Sequence, residues 1–299
     1  MSRRLFCFGL GYSALGLVRR LRPKGWVIAG TCRDDDRRAE LAREGVEAYL
    51  FDRPFADIAA ALADTSHLLS SVPPDAAGDP VIARYGSTIA AIGGSLTWMG
   101  YLSTTGVYGD RAGDWVDETS PLRPSGERGR RRCEAEAAWL GLWRQHGVPV
   151  HLFRLAAIYG PGRSALDHVR SGAARRIDKP GQIFSRIHVE DIATVLEASM
   201  ARPRPGTVYN VCDDMPAAPQ TVIAFACALL GVEPPPLVPF DQADLSPMAR
   251  SFYDDNKRVD NARMKRELGV RLRYPDYMAG LRALMNKGQA TAEGTSPAS

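Results

Sequence analysis

The sequence predicts an α/β protein with a doubly wound parallel sheet and a second, smaller lobe. Short apolar strands alternate with helices over roughly the first half of the 299 residues. This alternation favours a parallel sheet that is covered by helices on both faces. A glycine-rich turn joins the first strand to the first helix, and right-handed crossovers then arrange the strands as a doubly wound sheet.

The predicted elements follow one another closely in this half of the chain. We expect strands at 5–8, 26–31, 46–51, 67–72, 98–103 and 148–155. The helices between them are expected at 15–21, 34–43, 58–62, 81–92 and 133–146. Ligands of such a sheet lie beyond the carboxyl ends of its strands, so the loops at that edge are where functional residues are sought.

The chain changes character after residue 155, where proline and glycine become frequent. We expect short strands at 183–184 and 208–211, and helices at 189–200, 221–230 and 274–285. The pattern predicts a loop-rich lobe that caps the sheet and holds a substrate. The predicted division is 1–160 plus about 185–215 for the sheet domain, about 161–184 and 216–285 for the lobe, and 286–299 for a disordered tail.

Composition excludes several classes of protein. The net charge is +4 with acidic residues interspersed, which is too mild to predict a nucleic-acid partner. The five cysteines form no Cys-x-x-Cys pair, so neither a metal site nor a thioredoxin-type site is expected. No apolar stretch is long enough to span a bilayer. We therefore expect a cytoplasmic protein with reduced thiols and no membrane association.

The most informative feature is the turn after the first strand, which has the form Gly-x-Gly-x-x-Ala. Gly9 permits a tight turn, Gly11 lets phosphate approach the backbone, and Ala14 lets the helix pack closely on the strand. The helix N-terminus then offers free N–H groups to an anion. This is the fingerprint of a Rossmann dinucleotide site, with the expected contacts Gly9, Gly11, Tyr12, Ser13 and Ala14.

Arg33, just after the second strand, bears on the choice of dinucleotide. An acidic residue near this position suits the ribose hydroxyl of NAD, whereas an arginine suits the 2′-phosphate of NADP. We therefore expect NADP in preference to NAD. The alternative is a solvated arginine that Asp34, Asp35 and Asp36 neutralise. The expected cofactor contacts from the third and fourth strands are Asp52, Ser70 and Val72.

Four later segments carry a family resemblance. They read STTGVYG at 103–109, RLAAIYGPG at 154–162, RIHVEDIA at 186–193 and YNV at 209–211. In this order and spacing they resemble the extended short-chain dehydrogenase/reductases of the NAD-dependent epimerase/dehydratase group, over residues 5 to about 215. The family usually has Gly-x-x-Gly-x-x-Gly at the turn, so this chain is similar to its atypical branches.

The resemblance implies a set of catalytic positions. A hydroxyl that hydrogen-bonds the substrate oxygen falls on Thr104, whose alternative role is to cap the loop after its strand. The family's Tyr-x-x-x-Lys pair is missing, and Arg128 and Arg132 stand at those positions. Arg132 can replace lysine in holding the cofactor ribose, but a guanidinium with a pKa above about 12 cannot pass a proton. A Tyr-x-x-x-Lys string also occurs at 253–257, in the lobe, where we expect it to lie far from this helix. We interpret it as coincidence, unless the lobe folds it over the nicotinamide.

Two other residues are candidates for the proton carrier. Tyr108 lies near the expected cleft, with packing beneath the substrate as its alternative role. His188 titrates close to neutral pH, with a hydrogen bond at a helix start as its favoured alternative role. We also expect Asp191 to tether the lobe to the sheet. The expected substrate contacts are Thr105, Ile158, Arg163, Arg186 and His188.

The arginine cluster at 128 and 130–132 has three interpretations. It can bind an anionic substrate or the NADP phosphate, it can be a solvated helix face balanced by nearby glutamates, or, least favoured, it can contact nucleic acid. Two functions remain open. The first is an NAD(P)-dependent oxidoreductase or epimerase for a small carbonyl or hydroxyl compound, and the second is a non-catalytic NADP-binding sensor. The expected partners are a small-molecule substrate and a second copy of the chain, through the helices at 81–92 and 133–146.

Overall fold

The computed structural model describes residues 3–52, 58–62 and 64–293. Its strands are β1 Arg4–Phe8, β2 Val27–Cys32, β3 Glu47–Leu50, β4 His67–Ser70, β5 Trp98–Thr104, β6 Trp115–Val116, β7 Val150–Leu155, β8 Ala157–Tyr159, β9 Arg176–Asp178, β10 Arg186–His188, β11 Val208–Val211, β12 Leu237–Pro239 and β13 Arg258–Val259. Its α-helices are α1 Tyr12–Leu21, α2 Asp35–Arg43, α3 Ile58–Leu62, α4 Pro80–Ala91, α5 Glu127–His146, α6 Ala165–Arg170, α7 Val189–Ala201, α8 Pro219–Leu230, α9 Pro247–Ser251, α10 Ala262–Leu268 and α11 Tyr277–Glu293.

The central sheet has seven strands in the order β11-β7-β5-β4-β1-β2-β3. Every neighbouring pair in it is parallel. From β1 the chain winds first to β2 and β3 and then, on the other side, to β4, β5, β7 and β11. This reversal opens a crevice at the carboxyl ends of β1 and β4, where doubly wound sheets bind their ligands. The predicted fold class is confirmed.

Side-chain alternation along β5 separates two apolar layers. Trp98 and Leu102 face the layer under α1 and α7, and Met99 and Tyr101 face the layer under α4 and α5. All four are buried. Because both faces are covered, the strand is a continuous apolar run, as is typical of a parallel sheet.

The predicted helical stretch 133–146 lies in the longer α5, whose first turns from Glu127 are held by ion pairs. Two predicted elements differ from the structure. Residues 183–184 form a single bridge, Phe184 to Ala217, instead of a strand. The predicted disordered tail is helical as far as Glu293, and residues 294–299 lie outside the described part of the chain.

The lobe has its own apolar cluster between α6, α8 and α11, centred on Leu166, Val222 and Leu281. The stretch of β13 and α10 packs instead in the layer under α1 and α7, so it belongs with the sheet rather than with the lobe. The predicted tether is confirmed: the Asp191 carboxylate accepts the backbone N–H groups of Arg273 and Tyr274, at 2.7 and 3.0 Å. Among the described helices, none has the length and apolar character needed to cross a membrane.

Candidate active site

The glycine turn after β1 is held rigidly. Gly9 has a φ of +86°, and a Cβ there would lie 2.9 Å from the Ser71 hydroxyl oxygen. Its N–H donates to Thr31 Oγ1 at 2.8 Å, and its carbonyl accepts from Ser71 Oγ at 2.6 Å. A side chain at this position would strain the backbone and displace Ser71, so the turn requires glycine.

The N-terminus of α1 is open. A Cβ on Gly11 would meet no atom within 4 Å, and no side chain caps the helix. The first helical bond is Leu15 N–H to the Gly11 carbonyl, at 2.9 Å, which leaves the N–H groups of Tyr12, Ser13 and Ala14 without intrahelical acceptors. The first turn also carries no acidic residue. The residues present therefore fit the pyrophosphate of a dinucleotide, with Ala14 buried beneath it.

Close packing behind this cradle depends on a glycine that sequence reasoning missed. A Cβ on Gly16, in α1, would lie 3.1 Å from a methyl group of Val189 in α7. The available signal was a third glycine two residues beyond Ala14. It allows α7 to pack directly against the helix that carries the turn.

Tyr12 connects the turn with the loop after β8. Its hydroxyl donates to the Pro161 carbonyl at 3.1 Å, and the exposed Arg163 guanidinium lies 5.8 Å from the centre of its ring. A Cβ on Gly160 would lie 2.5 Å from that hydroxyl. The structure thus brings Tyr12 and Arg163, predicted from distant segments, to the same side of the crevice.

Arg33 is exposed immediately after β2. Two of the three acidic residues that follow it are engaged elsewhere: Asp34 accepts the Arg37 N–H at 2.8 Å as the cap of α2, and Asp35 pairs with Arg38 at 2.6 Å. No acidic side chain in the described part of the chain pairs with Arg33. The neutralisation considered for Arg33 is therefore not seen.

The other three predicted cofactor contacts are placed differently from one another. Asp52 is exposed beyond β3, and Val72 packs against Gly9 at the rim of the turn. Ser70 is buried and in register with Phe8 and Tyr101, which face the layer under α4 and α5. The Ser70 hydroxyl consequently points into that layer and not into the crevice, which corrects the expected contact.

Thr104 ends β5 at the same edge of the sheet. Its hydroxyl oxygen accepts the Gly106 N–H at 3.1 Å and caps the short 3₁₀ turn Thr105–Tyr108. The alternative capping role is therefore real. A hydroxyl has one proton and two lone pairs, so capping leaves its proton available for a substrate oxygen. Thr105 is half-buried next to it.

Tyr108 lies beneath this edge in a buried polar network. Its hydroxyl donates to Asn210 Oδ1 at 2.7 Å and accepts from Arg154 at 2.9 Å. Arg154 in turn is paired with Glu136 of α5, at 2.7 Å, and Glu136 accepts from the Ser103 hydroxyl. Burial raises the pKa of Tyr108 to about 12. Because the hydroxyl is fully enclosed, we assign Tyr108 a structural role instead of the proposed proton transfer.

His188 is also structural. It is buried at the start of α7, where Nδ1 accepts the Glu190 N–H at 3.1 Å. Its ring packs on Tyr274 and Tyr159, with centroid distances of 4.1 and 5.1 Å. The favoured alternative role is thus the observed one, and these contacts do not support His188 as a proton carrier or a substrate contact.

The arginine cluster divides into three parts. Arg130 and Arg131 pair with Glu127 at 2.7 and 3.0 Å on the solvated face of α5. Arg132 turns inward, and its Nη1 donates to the Tyr101 hydroxyl at 3.0 Å and to the Leu102 carbonyl at 2.8 Å. Arg128 is exposed, with its guanidinium carbon 5.4 Å from the centre of the Phe252 ring.

That last contact shows that the lobe reaches the start of α5. Lys257 Nζ donates to the Gly109 carbonyl at 2.9 Å, and the Asn256 N–H donates to Asp110 at 2.8 Å. The expectation that the 253–257 string lies far from the active-site helix is wrong. The alternative, that the lobe folds this segment towards the cleft, agrees with these contacts.

The remaining expected substrate contacts lie on the short strands after β7. Arg186 is buried on β10, where Nη1 donates to the carbonyls of Phe184 and Ala217 at 2.8 and 2.9 Å. Burial lowers the pKa of Arg186, and the negative charge of Asp213 opposes that shift. Ile158, in β8, packs against the main core. Among the described residues no group of His, Cys, Asp and Glu side chains has the arrangement of a metal site.

Residues 97–212, from β5 through β11, match the model of the NAD dependent epimerase/dehydratase family. The chain therefore shares this part of its sequence with that family. Its relatives include a solved structure of a functionally unknown conserved protein from Silicibacter pomeroyi, 54% identical with a TM-score of 0.90, which covers 96% of this chain and 99% of that chain.

Two further relatives extend the comparison. Protein YeeZ of Escherichia coli (strain K12) is 27% identical over 290 residues, covering 92% of this chain and 97% of that protein. Human epimerase family protein SDR39U1 (isoform 2), solved with NADPH, is 17% identical with a TM-score of 0.73, covering 95% of this chain and 99% of that chain. The likeness to the human protein is one of fold.

Proposed function

We propose that this protein is an NADP(H)-dependent oxidoreductase or epimerase that acts on a small carbonyl or hydroxyl compound, sugar-linked compounds included. The open N-terminus of α1 above Gly11 carries the proposal. It combines free N–H groups, a positive helix dipole and backbone that a phosphate can approach. The bound nicotinamide would supply hydride chemistry, and the protein's own residues would bind and orient the substrate.

Arg33 supports NADP as the preferred cofactor. It is exposed at the end of β2, and Asp34 and Asp35 already accept other donors. Its guanidinium can bind a 2′-phosphate through two parallel hydrogen bonds.

Thr104 and Arg132 are the residues that we propose at the reacting end. The Thr104 hydroxyl would donate a hydrogen bond to the substrate oxygen, because capping uses only one of its lone pairs. Arg132 is anchored to β5 through Nη1. Its remaining donors would hold the ribose of the cofactor, as the family's lysine does.

Cofactor affinity tests the proposal directly. We expect Arg33→Asp to weaken NADPH binding about tenfold or more, since a hydrogen bond to a charged group contributes about 1.5–3 kcal/mol. NADH binding should not be weakened, because NADH has no 2′-phosphate and the new carboxylate suits its ribose hydroxyl. Arg38→Asp is the matched control, an exposed arginine on the same connection that already pairs with Asp35. Equal effects of Arg33→Asp on both dinucleotides, measured by calorimetry, would remove the 2′-phosphate argument.

Turnover tests the catalytic half of the proposal. The protein should oxidise NADPH in the presence of at least one carbonyl from a panel of small and sugar-linked compounds. Thr104→Ala should then lower kcat about 100-fold, as loss of one preorganised donor to a reacting oxygen does. Unchanged activity of Thr104→Ala would refute the assigned role.

One observation favours a second candidate function. Helix α5 contains neither tyrosine nor lysine, so the family's proton donor is missing from it. A non-catalytic NADP-binding sensor would bind NADP⁺ and NADPH, transfer no hydride, and bind a partner with an affinity that depends on the redox state. Stereospecific hydride transfer to any substrate would exclude it.

The setting of this activity is part of the proposal. We infer a cytoplasmic protein with a small, anionic or neutral substrate bound between the sheet and the lobe. A homodimer through α4 and α5 is expected, and light scattering on the eluting protein would give its mass. A monomer at micromolar concentration would contradict this arrangement.

A further inference from the structure

Carbonyl reduction at this site needs a proton donor that α5 does not provide. Arg128 and Arg132 lie at the start of that helix, and a guanidinium with a pKa above about 12 keeps its protons at neutral pH. Tyr108 is enclosed and His188 is a helix cap. The donor must therefore come from another element that reaches the carboxyl ends of the strands.

The lobe segment 252–257 reaches that edge from one side. Phe252 packs against Arg128 at the start of α5, and Lys257 donates to the Gly109 carbonyl just after the turn that Thr104 begins. Both contacts lie beyond the carboxyl end of β5. The segment is therefore anchored at two points above the strand end where the substrate oxygen is expected.

Tyr253 lies between these two anchors in the chain. Its ring centre lies 5.5 Å from that of Phe184, whose backbone carbonyl accepts from Arg186 Nη1 on β10 at 2.8 Å. Burial raises the pKa of Tyr253, and the positive charge of Arg186 opposes that rise. Arg186 pairs in register with Ala157, which follows the carboxyl end of β7. Since β5 and β7 are adjacent in the sheet, the segment that carries Tyr253 reaches the pair of strand ends where the nicotinamide half of the site would lie.

The ring of Tyr253 is well held while its hydroxyl is not engaged. Phe184 and Phe240 pack on the ring with centroid distances of 5.5 and 5.2 Å, and Lys179 Nζ donates to the Tyr253 backbone carbonyl. In the part of the chain that the structure describes, the hydroxyl makes no hydrogen bond. A half-buried, oriented phenol with an unused proton is the group that general acid catalysis requires.

We propose that Tyr253, supplied by the lobe, is the proton donor of the reaction. In the reducing direction the carbonyl carbon gains a hydride from NADPH and the carbonyl oxygen takes the proton of Tyr253, so that its O–H bond breaks and the substrate hydroxyl forms. The phenolate left behind is reprotonated from solvent. Arg186 stabilises that phenolate, replacing the charge that the family's lysine provides. The proposal rests on the proposed function, since it needs NADP(H) in the crevice.

Magnetic resonance on the full chain tests the placement without requiring turnover. The ten tyrosines are labelled with ¹³C in the ring, and Tyr253→Phe and Tyr12→Phe identify two of the signals. On addition of NADPH we expect the Tyr12 signal to shift, because Tyr12 borders the pyrophosphate cradle. We also expect an Overhauser effect between the nicotinamide C4 proton and the Tyr253 ring.

The two signals separate the possible failures. A shifted Tyr12 with no contact between Tyr253 and the nicotinamide overturns the donor and leaves NADPH binding intact. If neither signal responds, the proposed function and the donor both fail.

Kinetics on any carbonyl that the protein reduces gives a second readout. Tyr253→Phe should lower kcat about 100-fold or more, the size of a general acid contribution, with KM within about twofold. Its melting temperature should be unchanged, since the hydroxyl has no partner to lose. Tyr209→Phe is the matched control and should keep the wild-type kcat, because its hydroxyl bonds to Glu267 of α10 at 3.4 Å. Wild-type kcat in Tyr253→Phe would refute the assignment.

Discussion

The buried ion pair between Glu136 and Arg154 holds the candidate active site together, and Glu136→Gln tests how strongly. Arg154 Nε lies 3.0 and 3.2 Å from the two carboxylate oxygens, and Nη2 lies 2.7 Å from one of them. The side chains are only 6% and 3% exposed. Glutamine keeps the shape but leaves the Arg154 charge buried without a counterion, which costs about 3–5 kcal/mol in such pairs.

Thermal and urea unfolding of the full chain measure this cost. At about 2 °C per kcal/mol for a chain of this size, the melting temperature should fall by roughly 6–10 °C. Glu127→Gln is the control, because it removes the same charge from an exposed pair in the same helix, and it should leave the melting temperature unchanged. Adding Arg154→Met to Glu136→Gln should restore part of the loss, since no charge then remains buried.

A small effect would refute this reasoning. If Glu136→Gln and Glu127→Gln shift the unfolding midpoint equally, then the pair contributes no more than a surface contact. If adding Arg154→Met to Glu136→Gln lowers the free energy of unfolding further, the buried charge is not the source of the cost.

Three further predictions concern the turn, the core and the lobe. Gly11→Ala should weaken NADPH binding at least about tenfold. It should cost about 1 kcal/mol or less of stability, since its Cβ meets open space. Gly9→Ala, at a φ of +86°, should instead lower the melting temperature in a thermal scan. Burial lowers the pKa of His151 from 6.5 to about 4, so the unfolded chain takes up this proton first as the pH falls. The free energy of unfolding should therefore decrease as the pH falls from 6.5 to 4, by at most about 3 kcal/mol for this residue. In urea titrations at several pH values, His151→Phe should make the free energy of unfolding depend less on pH. Asp191→Ala leaves two backbone N–H groups of the lobe unpaired and should cost about 3 kcal/mol, seen also as faster proteolysis of the lobe.

Much of the cofactor half could be predicted because it depends on local rules. Gly9 and Gly11 are required by backbone conformation and by access to the helix N-terminus, and both requirements are visible in a run of six residues. The placement of Arg33 follows from the same unit, since it depends only on where β2 ends. Ser70 was misplaced because its side-chain direction depends on register with strands far away in the chain.

The substrate half was predicted less well because it depends on contacts between distant segments. Tyr108 looked like a cleft residue until Arg154 and Asn210 enclosed its hydroxyl. The 253–257 string looked like coincidence because no local pattern shows that Lys257 reaches Gly109, which is 148 residues earlier. Only the lobe's path across the strand ends relates these residues.

The sequence by itself determined the strand–turn–helix cradle, the alternation that builds the parallel sheet, and the absence of the usual tyrosine and lysine from α5. These follow from period, turn chemistry and residue type within short windows. The tertiary structure alone decided which hydroxyls are buried, which arginines are paired, and that the lobe segment carrying Tyr253 reaches the loop after β5 and the start of α5. The physical reason is that burial and charge pairing depend on the packing of segments that are remote in the chain, whereas the cradle is complete within one of them.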